Sequence, residues 1–69
     1  MVSNYKKEAL KSLKSVIRFY EFLHQNPSAC DNSDEILERL SSLIFYVGVS
    51  VCPSDCLSQD EMIEWVKER

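Results

Sequence analysis

The sequence predicts an all-α fold: a small three-helix assembly, with a long antiparallel helix pair and a short C-terminal helix. Three observations carry this reading. Apolar residues recur at helical spacing through both long segments. A serine–glutamate capping pair marks the start of the third. The one stretch with strand-like alternation has no second strand to satisfy its backbone groups.

The first helix covers about residues 4–25. Tyr5, Ala9, Leu10, Leu13, Val16, Ile17, Tyr20 and His24 fall on one broad stripe when the residues are laid out on a helix. Ser3 or Asn4 can cap its start. Asn26-Pro27-Ser28 ends it, because the residue before a proline avoids the α region. Residues 26–33 have the composition of a turn.

The second helix covers about residues 33–50, capped by Asn32 or Ser33. Asp34 and Glu35 sit in its first turn, where the helix dipole favours acids. Ile36, Leu37, Leu40, Leu43, Ile44 and Val47 form its inward stripe. Val47-Gly48-Val49-Ser50-Val51-Cys52 alternates with period two. A strand there requires two copies to pair, so the helix is expected to run to about Ser50 and break before Pro53. The third helix covers about residues 58–68. Ser58-Gln59-Asp60-Glu61 is a capping box, with Leu57 and Met62 placed as a hydrophobic staple, and Ile63, Trp65 and Val66 follow.

The chain has 69 residues, which sets one domain, 1–69. Hydrophobic residues at 45% and charged residues at 28% suit a globular chain rather than a disordered one. No apolar run approaches the roughly 18 residues of a spanning helix, and Met1 to Lys7 lacks the apolar region of a secretory signal. No membrane and a cytoplasmic location are the expectation. A core this small supplies only about 3–5 kcal/mol, so such chains usually need a disulfide framework, a metal or another subunit. Three cysteines, Cys30, Cys52 and Cys56, are too few and odd in number for a disulfide scaffold. Association remains: a homodimer, or docking on a larger protein.

Charge is unevenly placed. The net charge is −3, yet residues 1–25 carry five basic against two acidic side chains, whereas residues 26–69 carry three against nine. An acidic chain is a poor general nucleic-acid binder, since phosphate neutralisation supplies most of that affinity. Lys7, Lys11, Lys14 and Arg18, spaced i, i+4, i+7, i+11, line the back of the first helix. Phe22 continues this strip and Phe19 flanks it. An ordinary solvated face would look the same. The functional reading is a docking strip for an acidic protein surface, with nucleic acid as the alternative. Phe45, Tyr46 and Val49 make the second half of helix 2 apolar on its back as well. They are expected to anchor an interface; the alternative folds Phe45 and Tyr46 down onto helix 3.

His24, Cys30, Cys52 and Cys56 could compose a Cys3His zinc set, but H-x5-C and C-x3-C are not the tight C-x2-C knuckles of structural sites. No metal and no cofactor are expected, and a zinc-stapled module is kept as an alternative. A Cys52–Cys56 disulfide does not match the C-x-x-C redox pattern. The carboxylates Glu35, Glu38, Asp60, Glu61 and Glu64 lie in first turns or on outer helix faces, where capping and solubility explain them. One glycine leaves no phosphate-cradling loop. An enzyme is not expected, and no catalytic residue is assigned. The function expected is protein–protein interaction, as a small regulator, inhibitor or adaptor. Chains of this size are common among phage and mobile-element proteins that block a host machine, an association with size alone. A nucleic-acid-associated regulator using the helix 1 strip is the alternative.

Overall fold

The computed structural model describes residues 2–69, with side chains from Lys6 onward. Helix α1 spans Val2–Gln25, a 3-10 turn spans Pro27–Ala29, α2 spans Ser33–Val51 and α3 spans Gln59–Lys67. Among the described residues there is no strand. The all-α three-helix fold is therefore as the apolar spacing requires. The ambiguous 47–51 stretch is helical, with the Cys52 N–H donating to the Gly48 carbonyl at 2.7 Å. The Ser3 or Asn4 cap and the inward Tyr5 rest on side chains outside the described residues, and the helical backbone already begins at Val2, ahead of both cap positions.

Asn26 closes α1. Its backbone N–H and its side-chain amide both donate to the Phe22 carbonyl, each at 2.9 Å, which satisfies a carbonyl the helix leaves free. Asn32 takes the N-cap position of α2, but its side chain makes no capping bond. Only its carbonyl is used, accepting from the Ile36 N–H at 3.1 Å. Ser33 lies inside the helix and is buried.

The start of α3 is the best-defined end. Ser58 Oγ accepts from the Glu61 N–H at 3.3 Å, and Glu61 Oε1 accepts from the Ser58 N–H at 3.1 Å and the Leu57 N–H at 2.9 Å. The expected staple is corrected. Leu57 stands 83% exposed and covers almost nothing of Met62, which is buried against Gly48 instead. Orientation thus comes from the Glu61 carboxylate gripping two backbone donors. Ser58→Ala should lower stability by about 0.5–2 kcal/mol, read as a shifted denaturant midpoint at unchanged slope; identical melts would show that the cap contributes nothing.

Leu13 and Ile17 of α1, Ile44 of α2, and Ile63 and Val66 of α3 form the central cluster. Leu10, Val16, Tyr20, Val47, Cys52 and Trp65 pack around it. Three positions differ from the stripes read off the sequence. His24 is exposed, its ring edge-on to Tyr20 at 5.4 Å. Leu23 is fully buried beside it, at the end of the pair where the 3-10 turn packs on both long helices. Leu43, expected inward, is 43% exposed, because it lies at the edge of the Ile44 stripe, one residue and about 100° away.

Helix α3 packs on one flank of the α1–α2 pair. On α2, Ser41 Oγ donates to Gln59 Oε1 at 2.9 Å, Gln59 Nε2 donates to the Ser41 carbonyl at 3.2 Å, and Gly48 meets Met62. On α1, Glu21 pairs with Lys67 at 3.0 Å, and Lys14 Nζ donates to the Arg69 main-chain oxygen. These contacts run α3 antiparallel to α1 and in the same sense as α2. The connector, residues 52–58, therefore doubles back along α2 before α3 begins.

Candidate interaction surface

All three phenylalanines lie at the surface, while the buried residues are aliphatic apart from Met62, Ser33 and Gly48. On α2, Tyr46 is 76% exposed, Val49 is 54% exposed and Phe45 is half exposed. Folding onto α3 therefore does not cover Tyr46. Phe45 stands one turn from both Ser41 and Gly48, which meet α3, so it edges that contact without being enclosed by it. Leu43 joins Tyr46 on the outer side of α2, in a shallow depression with Glu38, Arg39 and Ser42. Arg39 in this depression pairs with Glu35 one turn back, at 3.4 Å.

On α1, Lys7, Lys11 and Arg18 are exposed, as are Phe19 and Phe22. Lys14 is the exception within the strip. It is half-buried and held by the Arg69 main-chain oxygen, so the last residues of the chain interrupt the strip midway. Arg69 is itself fixed there by its guanidinium, 4.2 Å over the Trp65 ring, a favourable cation–π placement. Lys14 and Arg18 of the strip line a depression against α3, whereas Leu43 and Tyr46 line a separate one on α2. Neither Lys14's intramolecular role nor Leu43's exposure was marked by the sequence. The helical projection does place Leu43 at a stripe edge, which is the one signal available for it.

His24 and the adjacent pair Cys52 and Cys56 lie at opposite ends of the molecule. His24 lies at the turn end of α1, whereas Cys52 caps the far end of α2 and Cys56 follows in the connector. Among the described residues no three His, Cys, Asp or Glu side chains come together in a metal-binding arrangement. Burial, and secondarily the neighbouring Cys56, push the Cys52 thiol above its ordinary value. Less of it is thiolate at a given alkaline pH, and the thiolate is the nucleophile. At pH 8, iodoacetamide should modify Cys52 last of the three, followed by peptide mass spectrometry; fast Cys52 labelling would mean that the thiol is not held in the core.

Comparison with known proteins gives no match: no family model fits the chain, and no curated protein and no solved structure is significantly similar to it. No helix among the described residues is long and apolar enough to cross a membrane.

Proposed function

We propose that this chain is a non-enzymatic protein–protein interaction module, acting as a small regulator, inhibitor or adaptor. One observation carries the reading: Tyr46, Phe45 and Val49 occupy one outer helix surface of a chain too small to leave such residues idle. Aromatic side chains are the characteristic anchors of interfaces, because they bury a large rigid area at little entropic cost. The exposed cations Lys7, Lys11 and Arg18 beside Phe22 form a second contact area, suited to an acidic protein surface. With Lys14 engaged inside the molecule, that strip has three cations to offer, which weakens the nucleic-acid alternative further.

The test is affinity capture with wild type, Phe45→Glu and Tyr46→Glu, each first checked for helix content by circular dichroism. Both side chains are half exposed or more, so both variants should fold. A protein retained by wild type and lost by both variants supports the reading. Identical captured sets from all three would sink it for this surface.

A further inference from the structure

We propose that Cys52 and Cys56 are a reversible redox site: small disulfide compounds convert the two thiols into an intrachain disulfide that tethers α3 more closely to the end of α2. The chain path brings them together. Cys52 is the C-cap of α2, its N–H donating to the Gly48 carbonyl at 2.7 Å. Pro53 ends the helix, and the Cys56 N–H donates back to the Pro53 carbonyl at 3.1 Å. Such a turn brings Pro53 and Cys56 within about 7 Å, with Cys52 beside Pro53; disulfides span Cα separations of about 4.4–6.8 Å. The side chains meet as well, since the two thiols are in hydrogen-bonding reach of each other. Both cysteines are free, and neither is fully buried. The turn therefore closes a spacing, C-x3-C, that departs from the C-x-x-C pattern.

The pair sits at the joint between two helices. Cys52 packs on the central cluster, and its Sγ lies 3.9 Å from the Met62 carbonyl oxygen of α3. Cys56 shares a surface depression with Asp60, Glu64 and Trp65. Residues 53–57 separate Cys52 from the Ser58 cap of α3; across a disulfide, only Leu57 stands between Cys56 and that cap. A shorter tether leaves the undocked helix fewer positions to explore, and its local concentration at the seat rises roughly as the three-halves power of the shortening. Oxidation therefore holds α3 down, and reduction releases it.

Charge selects the kind of oxidant. Asp55, Asp60, Glu61, Glu64 and Glu68 line the depression around Cys56, and Arg69, which acts on Cys52, offsets one of them. A cationic disulfide such as cystamine is drawn to this surround, whereas anionic oxidised glutathione is repelled. Burial, and secondarily Cys56, hold the Cys52 thiol above its ordinary value, so Cys56 exchanges first. Its thiolate attacks one sulfur of cystamine, forming a mixed disulfide and expelling one cysteamine. The Cys52 thiolate then attacks the Cys56 sulfur, and the second cysteamine leaves. The two protein thiols give up two electrons and two protons, which depart in the two cysteamine thiols. Cys30 follows the 3-10 turn at the other end of the helix pair, away from both thiols that could resolve a mixed disulfide there.

The test is to incubate the reduced full chain with cystamine, quench with acid, alkylate the remaining thiols and map the peptides by mass spectrometry. The expected product is a chain lighter by two hydrogens, with Cys52 joined to Cys56, and dithiothreitol should reverse it. Cys30→Ser should give the same product, whereas Cys52→Ser should stop at a mixed disulfide on Cys56. Hydrogen exchange then reads the tether: the amides of α3, Gln59–Lys67, should exchange about threefold to tenfold more slowly in the oxidised chain than in the reduced one. Cysteamine accumulating on Cys56 while Cys52 stays free overturns the site, as does pairing of either cysteine with Cys30. A joined pair with unchanged or faster exchange in α3 overturns the tether.

Discussion

Ile44→Ala should leave little folded protein at room temperature. Ile44 is fully buried where all three helices meet, against Leu13 and Ile17 from one side and Ile63 and Val66 from the other. Truncation removes three carbons and leaves a cavity that short, tethered helices cannot all close, at a cost of about 2–5 kcal/mol. A chain of this size has about 3–5 kcal/mol in total. Circular dichroism at 25 °C should show most of the helix signal gone, with Ile44→Val losing only about 0.5–1.5 kcal/mol. A cooperative melt of Ile44→Ala near the wild-type midpoint would mean that the cluster is not what holds the helices together.

The second large effect is at Gly48. A Cβ built there stands 2.8 Å from Met62 Sδ, closer than atoms of that kind tolerate. Met62 Sδ is near the end of a flexible side chain, so alanine needs only a small shift of the thioether. Alanine also gains helix propensity of about 1 kcal/mol over glycine. Gly48→Ala should therefore change stability little. Gly48→Leu adds a branched side chain into the same space, an overpacking that typically costs about 1–3 kcal/mol, and the element that can yield is the nine-residue α3. Trp65, the only tryptophan, sits half-buried on α3 and reports the outcome. Its fluorescence should shift to the red in Gly48→Leu while α1 and α2 keep their helicity. An unshifted spectrum would show that α3 accommodates the leucine in place.

The three helices were legible because each is written twice, once in apolar spacing and once in an end signal such as Pro27, Pro53 or the Ser58–Glu61 pair. Stripe edges were not. Leu43 and Leu23 are both leucines at the margin of a stripe, and what covers the margin decides their fate: Leu23 is fully buried, whereas Leu43 is left 43% exposed. Spacing along one helix carries no information about such neighbours. The aromatic surface of α2 was legible from Phe45, Tyr46 and Val49, because a helix apolar on its back needs more cover than two neighbours give. The loss of Lys14 from the cationic strip was not, since it depends on where residue 69 returns, fifty-five positions later.

The doubling-back connector has a consequence for the order of events along the chain. The α1–α2 pair is joined by a short turn and can form from local encounters alone, whereas α3 has a place to dock only once α2 is laid down. A nine-residue helix is too short to persist unsupported in water. Each departure of α3 from its seat is therefore also its melting, and its backbone amides exchange with solvent through that local opening rather than through global unfolding. The segment after α2 then behaves as a latch with its own lifetime, and the Ser58–Glu61 cap tunes how long it stays closed.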